Sequence, residues 1–226
     1  MRRKRPYHHG NLKDALLEAA IQLIAEAGLA GFTLREVARR AGVSHNAPYR
    51  HFRDKDELLA AVAAEGFREL NQAMLDAAAS QPTALDRLKR SGWAYVSFAL
   101  RRPQHFTVMF DAPAVEGGDS KYAQAGEQAF GTLVSFIEEC QSAGQLPPGD
   151  SLDRALTAWS LVHGIAKLAV SGRLPYRSTA EVLEFAGFAL SGALLPAPGT
   201  TAPASAGSTT NSSCRAGRGR APVARA

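Results

Sequence analysis

Hydrogen-bond donors and cations are concentrated in one stretch, TLREVARRAGVSHNAPYRHF, residues 33–52. Arginine can read guanine, and asparagine can read adenine, through paired hydrogen bonds in the major groove of DNA. Tyrosine, histidine and lysine suit the phosphates, which position a protein on the duplex without reading its sequence. These residue types therefore indicate recognition of double-stranded DNA. The candidate contact residues are Thr33, Arg35, Ser44, His45, Asn46, Ala47, Pro48, Tyr49, Arg50, His51, Phe52 and Lys55.

Capping signals divide this stretch into two short helices. Thr33 and Glu36 have the spacing of a capping box, which predicts a helix that runs to about Ala41. Gly42 can adopt the left-handed conformation that ends such a helix and reverses the chain. Because alanine is small, Ala38 and Ala41 would let the two helices approach closely.

Pro48 has an unusual place in the second short helix, which we expect to run from a Ser44 cap to about Phe52. In the first turn of a helix, the missing N–H of proline costs at most one hydrogen bond, and the ring stiffens the element. Phe52 is expected to face the core. This layout predicts a helix-turn-helix that inserts into a groove of DNA. The alternative is an ordinary helical hairpin whose charges form a solvated face.

The rest of the chain also has helical periodicity, and no segment shows sustained strand alternation. The predicted helices span residues 11–27, 33–41, 44–52, 54–79, 83–101, 104–110, 120–143, 152–171 and 179–194. Net charge is +4 over residues 1–60, −3 over 61–194 and +4 beyond 194. A basic head on an acidic body suggests that the head meets a polyanion. The basic arm and tail could add affinity for DNA that does not depend on sequence.

Two segments within residues 11–67, ALLEAAIQLIAEAGLAGFTLREVARRAGVS and YRHFRDKDELLAAV, resemble the tetracycline-repressor-like (TetR) family of bacterial regulators. Family members typically carry a tyrosine, a histidine–phenylalanine pair and a lysine at the positions of Tyr49, His51, Phe52 and Lys55. The segments RPQHFTVMF and WSLVHG look like the family's C-terminal domain type that is named for Trp-His-Gly. Many members have Lys-Gly at positions 45–46 and Leu at position 48, so the family's base preferences do not carry over.

The resemblance implies an all-α homodimer that binds a palindromic operator. An N-terminal three-helix helix-turn-helix module would be joined to a C-terminal helical bundle for ligand binding and dimerisation. We expect a basic flexible arm at residues 1–9, the DNA-binding domain at 10–56, the ligand-binding and dimerisation domain at 57–194 and a disordered tail at 195–226. No apolar run approaches the length that spans a bilayer, and no secretory signal is present. We therefore expect a cytoplasmic, nucleoid-associated protein without membrane contact.

Aromatic and apolar side chains of the C-terminal helices are the candidate effector contacts, and an apolar or aromatic small molecule is the expected effector. Most residues of such stripes belong to the core of a bundle. His163 shares a helix face with Trp159, four residues away, so it could offer a hydrogen bond to a ligand or make a local polar contact beneath the indole. The candidate effector-binding residues are Phe98, Phe106, Met109, Phe110, Phe130, Trp159 and His163.

The last helix has the pattern of an interface helix. Gly187 and Gly192 would permit close backbone contact, and apolar stripes on the last two helices could serve both the subunit core and a twin subunit. Twofold symmetry would then place two recognition helices about 34 Å apart, one turn of DNA. The expected apolar side of the last helix consists of Val182, Phe185, Ala186, Ala189 and Ala193.

Enzymatic function is not expected, and neither a catalytic residue nor a cofactor is predicted. His8 and His9 are adjacent and lack metal-ligand spacing, so no metal site is predicted either. Glycine-rich phosphate-binding loops are absent from the sequence. A DNA-binding regulator that responds to a protein partner and senses no small molecule remains the alternative function.

Overall fold

The computed structural model describes residues 12–112 and 120–194, and these residues form no β-strand. The all-α prediction is therefore confirmed. The predicted basic arm, the predicted tail with Cys214, and residues 113–119 lie outside the described residues. None of the described helices combines the length and the apolar character that crossing a membrane requires. The helices are α1 (Leu12–Ala27), α2 (Leu34–Ala41), α3 (Lys55–Ala79), α4 (Ala84–Arg101), α5 (Pro103–Asp111), α6 (Ser120–Ser142), α7 (Ser151–Val170) and α8 (Thr179–Leu194), with a 3₁₀ helix, Pro48–Arg50, between α2 and α3.

The chain divides into two compact units that are not two successive segments. The first unit contains the residues up to Glu69 together with Arg101–Gly126. The second contains Leu70–Leu100 together with the described residues from Glu127 onward. Helices α3 and α6 therefore contribute residues to both units, and α4 belongs to the second unit except for its last residue, Arg101.

The core of the first unit is built on the apolar stripe of α1. Leu16 and Ala20 are fully buried, and Leu23 and Ile24 continue the same face one turn later. Helix α1 packs against α2 and α5, and Val37 of α2 is fully buried in the same cluster. This packing makes α1 the support against which α2 and α5 are held.

The core of the second unit includes the pairing of α7 with α8. Helix α8 buries Val182, Ala186, Leu190 and Leu194, which are four residues apart and form a narrow stripe. As a buried stripe, the predicted apolar side holds at Val182 and Ala186 and was wrong at Phe185, Ala189 and Ala193. Leu190 and Leu194 complete the buried stripe.

Candidate functional site

Helix α2 begins and ends as its sequence predicts. The N–H of Glu36 donates to Oγ1 of Thr33 at 3.3 Å, and the N–H of Thr33 donates to Oε2 of Glu36 at 2.8 Å, which completes the capping box. Gly42 has a φ of 73°, and its N–H donates to the carbonyl of Arg39 at 3.2 Å. Because only glycine adopts this conformation at little cost, the turn after α2 is set by Gly42. A two-bond ion pair from Arg40 to Glu26, with N···O distances of 2.8 and 2.6 Å, joins α2 to α1.

The segment after the turn is not the α-helix that the sequence predicted. Pro48–Arg50 forms a single 3₁₀ turn, and the residue before it is Ala47, so the prediction of a Ser44 cap was wrong. Proline has no N–H and cannot donate to the carbonyl of Ser44, which would be the helical partner of position 48. The carbonyl of Ser44 instead accepts from the N–H of Ala47 at 2.9 Å. The result is a compact segment, residues 44–52, which we call the tip and in which Pro48 is the first residue of the 3₁₀ turn.

The candidate DNA-contact residues differ in burial: some are buried and form the support, or base, of the tip, and others are exposed on its surface. Ala47, Pro48 and Phe52 are buried, so their side chains support the tip from beneath; Phe52, 1% exposed, faces the core as predicted. Tyr49 is the opposite case, since 52% of this large side chain is exposed. The exposed candidates are Thr33, Arg35, Ser44, His45, Asn46, Tyr49, Arg50 and His51.

Lys55 is partly buried and is tied to the loop that precedes α2. Its Nζ donates to the carbonyl of Ala30 at 3.3 Å and lies 4.3 Å from the centre of the Phe32 ring. Both contacts hold the start of α3 against the loop that precedes α2. Lys55 therefore has a structural role in the described residues, beside any contact with DNA.

The candidate effector-binding residues divide between the two units. Phe106, Met109 and Phe110 belong to the first unit, where the rings of Phe106 and Phe110 meet edge to face at 5.1 Å. Met109 lies against Gly66 of α3, since a Cβ on this glycine would be 2.6 Å from the methionine sulfur. The contacts of these three residues are those of a packed core.

The second unit contains Phe98, Phe130, Trp159 and His163, and the last three form a chain of contacts. Phe130 meets Trp159 edge to face at 5.8 Å, and the Trp159 and His163 rings are 5.9 Å apart. Phe98 is 2% exposed. A small apolar pocket in this unit is lined by α4 and α8, and none of the candidate effector residues contributes to its wall.

Tyr95 connects two of these residues, and sequence reasoning missed it. Nε1 of Trp159 donates to the Tyr95 hydroxyl at 3.2 Å, and the hydroxyl lies 2.9 Å from Nδ1 of His163. An indole N–H can only donate, so the Tyr95 oxygen accepts from it, and the same hydroxyl can donate its hydrogen to the imidazole. Burial raises the pKa of Tyr95, which keeps the hydroxyl protonated. No local pattern marks Tyr95, because its partners lie more than 60 positions away in the sequence.

Helices α7 and α8 also present apolar side chains to solvent. Leu168 of α7 is 43% exposed, and Phe188 of α8 is 77% exposed. Gly164 and Gly192 have open space where a Cβ would lie. Large exposed apolar side chains beside glycines are typical of a surface that another helix can cover.

Family comparisons cover most of the described chain. Residues 16–62 match the family model described as bacterial regulatory proteins, tetR family, and residues 88–191 match the model described as tetracyclin repressor-like, C-terminal domain. The second range includes the WSLVHG segment. An HTH-type transcriptional repressor of Mycobacterium tuberculosis is 43% identical over 61 residues, which are 27% of this chain and 32% of that protein. The chain thus spans about a third of the length of this curated relative.

Solved structures extend the similarity to nearly the full described length. A protein of unknown function from Rhodococcus sp. RHA1 is 37% identical with a TM-score of 0.74, and the match covers 85% of this chain and all of that one. The regulator FadR of Bacillus subtilis, solved in complex with stearoyl-CoA, has a TM-score of 0.66 over 76% of this chain and 96% of its own. At 19% identity, FadR shows the shared fold alone.

Proposed function

We propose that this chain, which belongs to the tetracycline-repressor (TetR) family of bacterial transcriptional regulators, is a homodimeric repressor that binds a palindromic operator. A small-molecule effector would release it from that operator. The observation that carries DNA binding is the tip after α2. Exposed donors at positions 44–46 and 49–51 surround a buried base of Ala47, Pro48 and Phe52. A stiff projection covered with donors suits a groove of the duplex. Such a protein acts at the nucleoid, in the cytoplasm.

Different side chains of the tip suit different parts of the DNA. Asn46 and Arg50 are our candidates for base edges, because their planar groups can form two hydrogen bonds to one base. Tyr49, His45 and His51 suit phosphates, as do Thr33 and Arg35 at the start of α2. The Ser44 hydroxyl can donate to a base edge or to a phosphate. Lys55 adds positive charge where α3 begins, just after the tip. Pro48 contributes shape, since its ring is buried.

Dimerisation would use the exposed apolar face of α7 and α8. Leu168 on α7 and Phe188 on α8 are its exposed large side chains, and the partly exposed Leu161 and Gly164 lie on the same side of α7, as the exposed Gly192 does on α8. Two copies related by a twofold axis could pack these faces into a four-helix interface, in which the glycines allow close approach. The same axis would relate two tips to the two halves of a palindrome.

The effector site that we propose is the group of Phe130, Trp159, His163 and Tyr95. It combines two aromatic faces with a buried hydroxyl and an imidazole, which is the composition of a site for an apolar ligand with one polar end. Phe98, Phe106, Met109 and Phe110 remain secondary candidates. Release requires that the effector bind more tightly to the conformation that cannot hold the operator.

Selection of bound duplexes from a random pool tests the DNA-binding proposal. The expected result is a palindrome, and Arg50→Ala and Asn46→Ala should each lower affinity for it by about 5- to 150-fold. Arg173→Ala, an exposed arginine of the second unit, is the matched control and should leave specific affinity unchanged. A dimer that selects no sequence even at low ionic strength would overturn the proposal.

The alternative function is a DNA-binding regulator that responds to a protein partner. Screening a metabolite library distinguishes this function from release by a small-molecule effector. Thermal unfolding would be followed with the library, to which stearoyl-CoA is added because FadR of B. subtilis was solved with it. An effector should raise the Tm of the protein and lower its affinity for the operator. Both effects should be absent in the His163→Gln variant. Tight operator binding with no ligand-induced shift across the library would favour the alternative.

A further inference from the structure

Two carboxylates and one imidazole converge in the first unit, apart from the DNA-contact and effector residues described above. Glu65 and Glu69 are four residues apart on α3, and His105 lies in the first turn of α5. One oxygen from each glutamate and one ring nitrogen of His105 all lie within 4.8 Å of one another. Side chains four apart share a helix face, so α3 presents both carboxylates toward the same point.

His105 distinguishes this group from an ordinary cluster of surface acids. The residue is only 5% exposed, and its Nε2 lies 4.0 Å from Oε1 of Glu65, which is too long for a hydrogen bond. Within the part of the chain that the structure describes, no hydrogen bond satisfies this imidazole. A nearly buried imidazole that lies beside two carboxylates, with no hydrogen bond between them to hold the arrangement, can accept a shared partner.

We propose that Glu65, Glu69 and His105 bind a divalent transition-metal ion of the zinc class, with water completing its coordination. Imidazole together with carboxylate suits zinc and its first-row neighbours, whereas magnesium and calcium prefer oxygen ligands alone. Two atoms that are each about 2.1 Å from one ion are separated by about 3.0 to 4.2 Å, depending on the angle. The 4.0 Å between Nε2 of His105 and Oε1 of Glu65 exceeds the roughly 3.4 Å of a tetrahedral pair, so the glutamate side chain must move by about half an ångström to bind the ion. Both glutamate side chains are 35% exposed, which gives the ion a route from solvent and the carboxylates freedom to adjust.

Arg102 competes with the proposed ion for Glu69. Its Nε lies 3.2 Å from Oε2 of Glu69, and its Nη2 lies 3.3 Å from Oε1. The arginine side chain is 53% exposed, so it can turn into solvent and give up an ion pair that contributes little at a surface. Binding of the ion would thus exchange one cation for another and would join α3 to the first turn of α5.

Zinc titration of the full chain tests the proposal without DNA or effector. His8→Ala/His9→Ala is the background variant, so that the adjacent histidines of the N-terminal arm contribute no zinc. After dialysis against a chelator, calorimetry should show one zinc ion bound per chain, and magnesium should show none. Cobalt in place of zinc should give the visible d–d absorption of a protein-bound ion.

Substitutions in the same background assign the ligands. Glu65→Gln and Glu69→Gln should each lower zinc affinity at least tenfold, and both are near-isosteric changes of half-exposed side chains that leave the fold intact. Glu18→Gln, an exposed acid of α1, is the matched control and should have no effect. Arg102→Ala should raise affinity about two- to fivefold, because it removes the competing cation. Zinc binding that is absent from the background variant, or that both glutamine variants leave unchanged, would overturn the site.

Discussion

The hydroxyl of Tyr95 is a single group that satisfies two others in the second unit. It accepts from Nε1 of Trp159 and contacts Nδ1 of His163. Tyr95→Phe would keep the ring in place and leave the indole N–H without this acceptor. We expect a loss of about 1–2 kcal/mol in the free energy of unfolding, measured by urea denaturation, because the indole and the imidazole both lose a hydrogen bond to this hydroxyl. Tyr176→Phe, at a 36% exposed tyrosine, is the control and should change stability by less than about 0.5 kcal/mol.

Cys140 is completely buried, and burial raises the pKa of its thiol to about 11. At pH 8 only about one thiol in a thousand would then be ionised, and the thiolate is the reactive form. In a Cys214→Ser background, we expect native protein to resist a thiol-specific disulfide reagent at pH 8 and to react fully once guanidinium unfolds it. Reactivity should rise as the pH approaches 11. Rapid modification of the native protein at pH 8 would contradict this burial.

The role of a single residue could be predicted when the residues it contacts are close to it in the sequence, and not when they are distant. The Thr33–Glu36 box and the left-handed Gly42 were predicted because each involves neighbours within one turn. Tyr95 was missed because its hydroxyl matters only through residues on α7. His105 was missed as a possible metal ligand for the same reason, since Glu65 and Glu69 precede it by more than 30 positions.

Gly187 marks a close approach between α8 and the indole of Trp93. A Cβ at this position would lie 2.6 Å from Nε1 of Trp93 and 3.1 Å from two of its ring carbons. A rigid indole cannot yield as a flexible side chain can, so Gly187→Ala should overpack this contact. We expect a net loss of about 1–2 kcal/mol in chemical denaturation, because the strain exceeds the gain in helix propensity.

Gly131 of α6 is the matched control for this substitution. Nothing lies within 4 Å of a Cβ built there, so alanine can only improve the helix. Gly131→Ala should raise the free energy of unfolding by about 0.5–1 kcal/mol. The two changes are chemically identical and should have opposite signs. Equal signs would mean that α8 does not contact Trp93 in solution as it does here.

The sequence predicted where the helices lie, but it did not predict that the tip forms a 3₁₀ helix in place of an α-helix. Periodicity and caps predicted α1, α2 and the long α3 with small errors at their ends. The missing N–H of Pro48 was expected to cost one bond within an α-helix. In the structure the segment is a 3₁₀ turn in which the N–H groups of His51 and Phe52 both donate to the carbonyl of Pro48. So short an element has few other hydrogen bonds to offset the donor that proline lacks.

The apolar surface of α8 extends beyond the stripe that the described chain buries. The sequence predicted an interface on the last two helices, but it assigned Ala189 and Ala193 to the apolar side of α8. In the structure the buried stripe contains Leu190 and Leu194, and Phe188 points to solvent. Hydrophobic periodicity alone cannot distinguish a face that meets the subunit core from one that meets a partner, since both are apolar.

Phe188 provides the test of the dimer. Because 77% of its surface is exposed, Phe188→Glu should change the stability of the single chain by less than about 0.5 kcal/mol. In a twofold interface the same change would bury two carboxylates, so we expect monomers by analytical ultracentrifugation. Affinity for a two-half-site operator should fall by about 10²- to 10⁴-fold, because the second tip would no longer be tethered to the first. Leu75→Glu places the same charge on another exposed apolar residue, on α3, and should leave the dimer intact. A Phe188→Glu protein that sediments as a dimer would place the interface elsewhere.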